Sequence, residues 1–264
     1  MDIIAGYAGA FIIGLILGLM GGGGSILTVP LLVYVLAINP VTATAYSLFI
    51  VGTTSAVGSA QNYFKDNVAL RTGLLIAIPS FITVYLTRRY VLPSIPHVVY
   101  QDQHFTIGKN AFIMGLFAVI MLVAAISMLT KKRDDGKEEK DKVKYLYILP
   151  YIIIVGFLMG IVGSGGGFLI IPLLIHFAGL SMTKAVGTSL FIISINTLIG
   201  FAGDVQTLSI NWGFLLFFTL FSIFGIFAGT YLHRFIAENQ LRRGFGWFVL
   251  LMAGFILAKE TIGF

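Results

Sequence analysis

The chain has 264 residues, 58% of them hydrophobic and only 11% charged, with mean hydropathy +0.96 and a formal net charge of +6. A soluble domain would carry about 25% charged residues, so a water-soluble globular protein is excluded, and apolar runs of about twenty residues from end to end predict a polytopic α-helical membrane protein. The short alternating segments of a β-barrel are missing, the absence of cysteine rules out disulfides and thiolate metal sites, and Lys and Arg in such a chain report orientation rather than nucleic-acid binding.

The opening stretch "MDIIAGYAGAF" has no basic n-region, and its apolar run continues well past the length of a signal peptide, so no cleavable leader is expected. The first apolar segment, Ile3–Ala37, is interrupted at "MGGGGSILTVPLL" (Met20–Leu32). Glycine costs about 1 kcal/mol against alanine in a helix interior, so four in a row predict a break. As one straight helix the segment would measure about 50 Å, too long for a hydrocarbon core of about 30 Å. A hairpin folded at the glycines, entering and leaving on one face, fits. Three ordinary spans follow, at about 40–61, 69–87 and 108–130. Then comes "KKRDDGKEEKDKVK" (Lys131–Lys144), a charged and solvated linker.

After the linker the pattern begins again. Tyr147–Ala178 is interrupted at "VGSGGGFLIIPLL" (Val162–Leu174), and spans follow at about 182–203, 210–232 and 244–262. Sliding the chain by 142 residues aligns Gly14–Asn62 with Gly156–Asp204 without a gap, with 16 identities in 49 positions, among them Pro30 with Pro172. The chain therefore reads as a duplication: a first repeat at 1–130, the linker at 131–144 and a second repeat at 145–264. Gly14 and Gly18, like Gly156 and Gly160, have the small-xxx-small spacing of close helix packing.

The linker carries seven Lys and Arg, which places it in the cytoplasm. If the interrupted segments return to the face they entered, thirteen basic residues fall inside. Four fall outside: Arg88, Arg89, Lys109 and Lys259. A single crossing gives ten against seven, so the hairpin reading is preferred. A hairpin plus three crossings reverses sidedness. The expected fold is thus an all-α polytopic membrane protein of two inverted-topology repeats, as in many secondary transporters.

The glycine tips then acquire a chemical reading. A helical arm, Ile26–Ala37 or Phe168–Ala178, starts after each tip, and its first amides lack intrahelical partners. With the helix dipole these amides form an anion site. The expected substrate-binding residues at the tips are Gly22, Gly23, Gly24 and Ser25 in one repeat and Ser164, Gly165, Gly166 and Gly167 in the other. On the following spans Ser47 and Thr54, and likewise Ser189 and Asn196, stand seven residues apart on one helix face. With Thr188 they complete the candidate set. Bonding of Ser and Thr to their own helix carbonyls is the competing role. All eleven Asp and Glu lie in loops or at span ends, so the candidate proton relays reduce to His176 and Asp204, and an anion moving down its own gradient is expected.

The paired tips "GGGGSILTVPLL" and "GSGGGFLIIPLL", with "AVGTSLFIISIN" (Ala185–Asn196), resemble the TauE/SafE sulfite exporter family over nearly the whole chain. The resemblance implies carriage of a small sulfur-containing anion such as sulfite, sulfoacetate or another organosulfonate, often as export, in the plasma membrane. No cofactor, metal or nucleic-acid partner is expected, and a homodimer is compatible. The alternatives are a cation transporter or channel, which would prefer carboxylate rings or converging carbonyls, and a non-transport scaffold. Enzyme motifs are missing: the residue two before Ser164 is Val162 rather than glycine, and no phosphate-binding loop or H-E-x-x-H occurs.

Overall fold

A computed structural model describes the chain except for Met1 and residues 102–105, 131–144, 164–165, 177, 233–234, 236–237 and 263–264. The linker, Ser164 and Gly165 therefore lie outside the described residues, as does the side chain of His176. Helix α1 (Asp2–Met20) is followed by a returning arm of 3-10 helix (Gly21–Leu27), one α turn (Thr28–Pro30) and a π turn (Leu31–Val35). Next come α2 (Pro40–Tyr63) and α3 (Leu70–Leu86), the latter prolonged by a π turn (Thr87–Val91) and Leu92–Ser94. Helix α4 (Lys109–Thr130) precedes the linker. The second half holds α5 (Tyr145–Val162), α6 (Gly167–His176), α7 (Met182–Asp204), α8 (Trp212–Leu232) and α9 (Glu238–Ile262). Between α3 and α4 stands a small antiparallel hairpin, β1 (Val98–Gln101) with β2 (Thr106–Gly108). Among the described residues this hairpin is the one addition to the expected all-α architecture.

Six segments of the described residues are long and apolar enough to cross a membrane: Gly6–Val35, Pro40–Tyr63, Leu70–Ser94, Lys109–Ile126, Met182–Asp204 and Trp212–Leu232. The first does not run straight. Gly6 faces the side chain of Leu36, Gly9 faces Leu31, and Gly24 abuts the backbone of Ile16 and Leu17, so the arm lies antiparallel on α1. The second interrupted segment does the same, with Gly166 on Met159 and the Tyr151 hydroxyl 3.4 Å from the Leu169 carbonyl. The first arm departs from expectation at its start. It begins at Gly21 rather than at Ile26, because Gly21 adopts φ +67° and the remaining glycines wind directly into the 3-10 turn. A glycine tolerates that left-handed φ without the steric cost of a Cβ.

The same interactions recur 142 residues apart. Gly21 and Gly163 turn with φ +67° and +68°. Ile38 N–H reaches Leu32 O, and Leu180 N–H reaches Leu174 O. Ala43 and Ala185 donate to Asn39 and Ser181, the N-caps of α2 and α7. The Ala69 amide donates to Thr188 Oγ1 at 2.9 Å, and the Asn211 amide donates to the Tyr46 hydroxyl at 2.8 Å.

Packing directions follow from these contacts. Along α2 and α7, Leu48 meets Gly200, Gly52 meets Thr197 and Gly58 meets Leu190, so the two helices run antiparallel. Gly14 and Gly18 of α1 lie against the backbone of Ser222, Ile226 and Gly229 in α8. Gly156 and Gly160 of α5 lie against Ser80, Thr83 and Thr87 of the α3 segment. Both glycine pairs thus serve close packing, as their spacing predicts. The outer faces of α3 and α8 expose Leu74, Ile78, Ile82, Leu216, Phe217 and Phe224, an apolar surface suited to lipid tails rather than water.

Candidate functional site

The two hairpin tips meet inside the bundle. Gly22 and Gly167 are in backbone contact beneath the Ile193 side chain, and a Cβ on either would collide with the other's Cα. The approach is possible only between glycines. Gly24 is used differently: a Cβ there would stand 2.5 Å from the Leu17 amide nitrogen, so this glycine closes the first hairpin on α1. Gly23 is buried in the same turn. Gly166 has φ +57° and caps α6, with its carbonyl accepting from Leu169 N–H at 2.9 Å.

The tips reach deep. Gly21 sits beside Val186, near the start of α7, and a Cβ on it would stand 3.1 Å from Ser189 Oγ. Gly163 sits beside Thr44, near the start of the antiparallel α2. Each hairpin therefore runs past the level at which Gly22 and Gly167 touch.

The predicted hydroxyls fall into two groups. Ser25 Oγ donates to the Gly22 carbonyl at 2.7 Å, and Ser189 Oγ donates to the Val186 carbonyl at 2.8 Å. Thr188 receives the Ala69 amide at the start of α3. Thr54 Oγ1 donates to Ser222 Oγ at 3.1 Å, and Asn196 Nδ2 donates to Ser80 Oγ at 2.7 Å. These last two bonds are repeat equivalents, each joining a central helix to the parallel helix beside it. Against them, Ser47 Oγ and Asn196 Oδ1 are buried without a hydrogen-bond partner among the described residues. Thr28 Oγ1 and Ser55 Oγ, which no sequence signal singles out, share that condition. A buried polar atom left unpaired costs about 1–3 kcal/mol, so these atoms mark places where a further polar group would be favourable.

The largest departure from the sequence reading is Arg88. The tally of basic residues places it outside the membrane, yet its side chain is fully buried. The π turn at Thr87–Val91 carries α3 onward and turns Arg88 into the bundle. Its Nη1 lies 3.2 Å from Asp204 Oδ2 and donates to Thr44 Oγ1 at 3.1 Å. Asp204, the last residue of α7, is itself 2% exposed. A signal for this is present in the sequence: Arg88 continues the inward face of α3 through Gly73, Ala77, Ser80 and Val84, at intervals of three and four.

The comparisons with known proteins agree with the architecture. The family model described as "Sulfite exporter TauE/SafE" matches residues 7–256. A "Probable membrane transporter protein" of Xylella fastidiosa (strain Temecula1 / ATCC 700964) is 27% identical over 255 residues, covering 94% of this chain and 92% of the relative. The "Probable membrane transporter protein MJ0441" of Methanocaldococcus jannaschii is 36% identical over 133 residues, 47% of this chain and 50% of the relative. The "Probable membrane transporter protein YunE" of Bacillus subtilis (strain 168) is 24% identical over 262 residues, 85% of this chain and 89% of the relative. No solved structure gives a significant match.

Proposed function

The chain belongs to the sulfite exporter TauE/SafE family of membrane transporters, and from that premise we propose that it carries a small sulfur-containing anion, sulfite, sulfoacetate or another organosulfonate, out of the cell across the plasma membrane. The observation that carries this reading is the contact of Gly22 with Gly167. Two glycine tips, each leading into a helical arm, bring backbone amides and helix-dipole ends to one buried place. Non-helical backbone at that depth is tolerated only where protein covers it or a cavity opens.

The tips touch, so an anion held between them requires them to part. Alternating access is then a separation of the two hairpins toward one face and then the other. The antiparallel packing of α2 on α7 supports reading 1–130 and 145–264 as inverted repeats, which suits such a motion. We place the 131–144 linker in the cytoplasm. Arg88 lies inside the bundle, so the basic tally becomes thirteen inside against three outside.

The test is counterflow of radiolabelled sulfite and sulfoacetate in proteoliposomes. Trans-stimulated uptake is expected, and it should fall by more than about tenfold in Gly22→Val and Gly167→Val proteins, which cannot bring the tips together. Absence of counterflow for every sulfur oxyanion tried, with the protein folded, would overturn the substrate class.

A further inference from the structure

Arg88 has more hydrogen-bonding capacity than the bundle uses. A guanidinium carries five N–H donors and cannot shed its charge. Among the described residues only Nη1 is engaged, by Thr44 Oγ1 and by the Asp204 carboxylate. Nε and Nη2 are buried and have no hydrogen-bond partner among those residues. These two nitrogens are not a random remainder. They form one edge of the guanidinium, with parallel N–H bonds spaced to grip two oxygens of a carboxylate, sulfonate or phosphate.

The location of that edge is equally specific. Nη2 stands at the tip of the second hairpin, so close to Gly163 that a Cβ there would collide with it. Gly163 has φ +68° and is the turn from which the tip departs. The unpaired fork therefore sits, buried, against the glycine at which the second hairpin begins to turn. The Asp204 contact is also incomplete: Oδ2 is 3.2 Å from Nη1 but not aligned as a hydrogen bond. The carboxylate neutralises Arg88 without occupying its fork.

The positions equivalent to this cluster carry no charge. The residues 142 positions away from Arg88, Asp204 and Thr44 are Thr230, Asn62 and Val186. Val186 lies beside Gly21 as Thr44 lies beside Gly163. Asn62 donates to the Gly58 carbonyl at 2.8 Å. A purely structural ion pair explains the burial of Arg88. It does not explain why the Nε–Nη2 edge stays unpaired beside a glycine turn.

We propose that the Nε–Nη2 edge of Arg88 is the docking fork for the transported oxyanion, and that Asp204 is a built-in counter-anion whose hold on Arg88 weakens when substrate binds. This inference rests on the transport reading and gives it a charged residue on one side of the tips. Binding there is favoured for a group with two oxygens on one centre, which sulfite and sulfonates have and chloride lacks.

The test uses the full chain in detergent and in proteoliposomes, with sodium sulfite as the probe and sodium chloride at equal ionic strength as control. Sulfite is expected to raise the melting temperature of the unaltered protein. In Arg88→Gln/Asp204→Asn, where no charge is left buried, sulfite affinity should fall by more than about 30-fold. Asp204→Asn alone should bind sulfite more tightly, because the competing carboxylate is gone. Arg88→Lys keeps the charge and loses the fork, so it too should bind weakly; it decides the matter if the neutral pair does not fold. Unchanged affinity in the neutral pair or in Arg88→Lys would overturn this inference while leaving transport intact. An unaltered protein that ignores both sulfite and sulfoacetate in melting and in counterflow would overturn the sulfur-anion reading itself, and this inference with it.

Discussion

Ala37 and Gly179 end the two returning arms in the same left-handed conformation, with φ +52° and +62°. The conformation costs an L-residue roughly 1–2 kcal/mol and costs glycine almost nothing. One repeat therefore carries a strain that its twin avoids. Gly179→Ala is expected to destabilise the protein by about 1 kcal/mol, since open space around its Cβ position leaves backbone strain as the sole penalty. Ala37→Gly should not destabilise it. Melting curves of the two variants in the same detergent check the pair, and a Gly179→Ala protein as stable as the parent would refute the strain argument. Arg88 teaches the complementary lesson at this scale. Two consecutive arginines at the end of an apolar run fit a loop or a snorkelling pair, unless the inward face of α3 is followed through Ser80 and Val84 in steps of three and four to Arg88. That face is legible only if the helix is known to run past Leu86, and no residue type announces the π turn at Thr87–Val91 that prolongs it.

Among the helices, the glycines separate into those that hold backbones together and those that hold nothing. Gly14 of α1 would drive a Cβ into the Ser222 carbonyl of α8, whereas Gly254 of α9 faces open space. Gly14→Leu is expected to destabilise by about 1–3 kcal/mol, through forced separation of α1 and α8. Gly254→Ala is expected to be neutral or to stabilise by up to about 1 kcal/mol through helix propensity. Thermal denaturation distinguishes them, and equal losses in both would show that general glycine content, not the α1–α8 contact, sets stability. Much of this architecture is legible in the residues alone. The 142-residue echo, the broken segments and most span ends follow from apolar run length and from glycine and proline placement, whereas α9 starts at Glu238, ahead of the apolar run expected from about 244. The 3-10 start at Gly21 and the β1–β2 hairpin are not legible. The first depends on which of four identical residues adopts positive φ, and the second has too few residues to leave a periodic signal. Of the predicted site residues, Gly22 and Gly167 lie in backbone contact. Thr54, Thr188 and the Asn196 amide bond across helices, because a hydroxyl or amide in an apolar bundle pairs with whatever polar group its register offers.

For the molecule as a whole, the decisive geometric relation is that α2 and α7, which occupy the same place in the two repeats, run antiparallel. In a membrane, antiparallel equivalents put equivalent loops on opposite faces. The turn after α2 contains Lys65, and the corresponding turn after α7 contains Gln206; both residues are exposed. The chain contains no cysteine, so Lys65→Cys and Gln206→Cys each supply one unambiguous reactive thiol. A membrane-impermeant maleimide applied to intact cells is expected to label Gln206→Cys and to reach Lys65→Cys only after the membrane is opened. The expectation combines two arguments, and the result separates them. The opposite assignment, with Lys65→Cys labelled from outside, would keep the inverted repeat and reverse the orientation drawn from the basic linker. Labelling of both from one face would contradict the inverted repeat, and with it the motion in which two hairpins open alternately toward opposite sides.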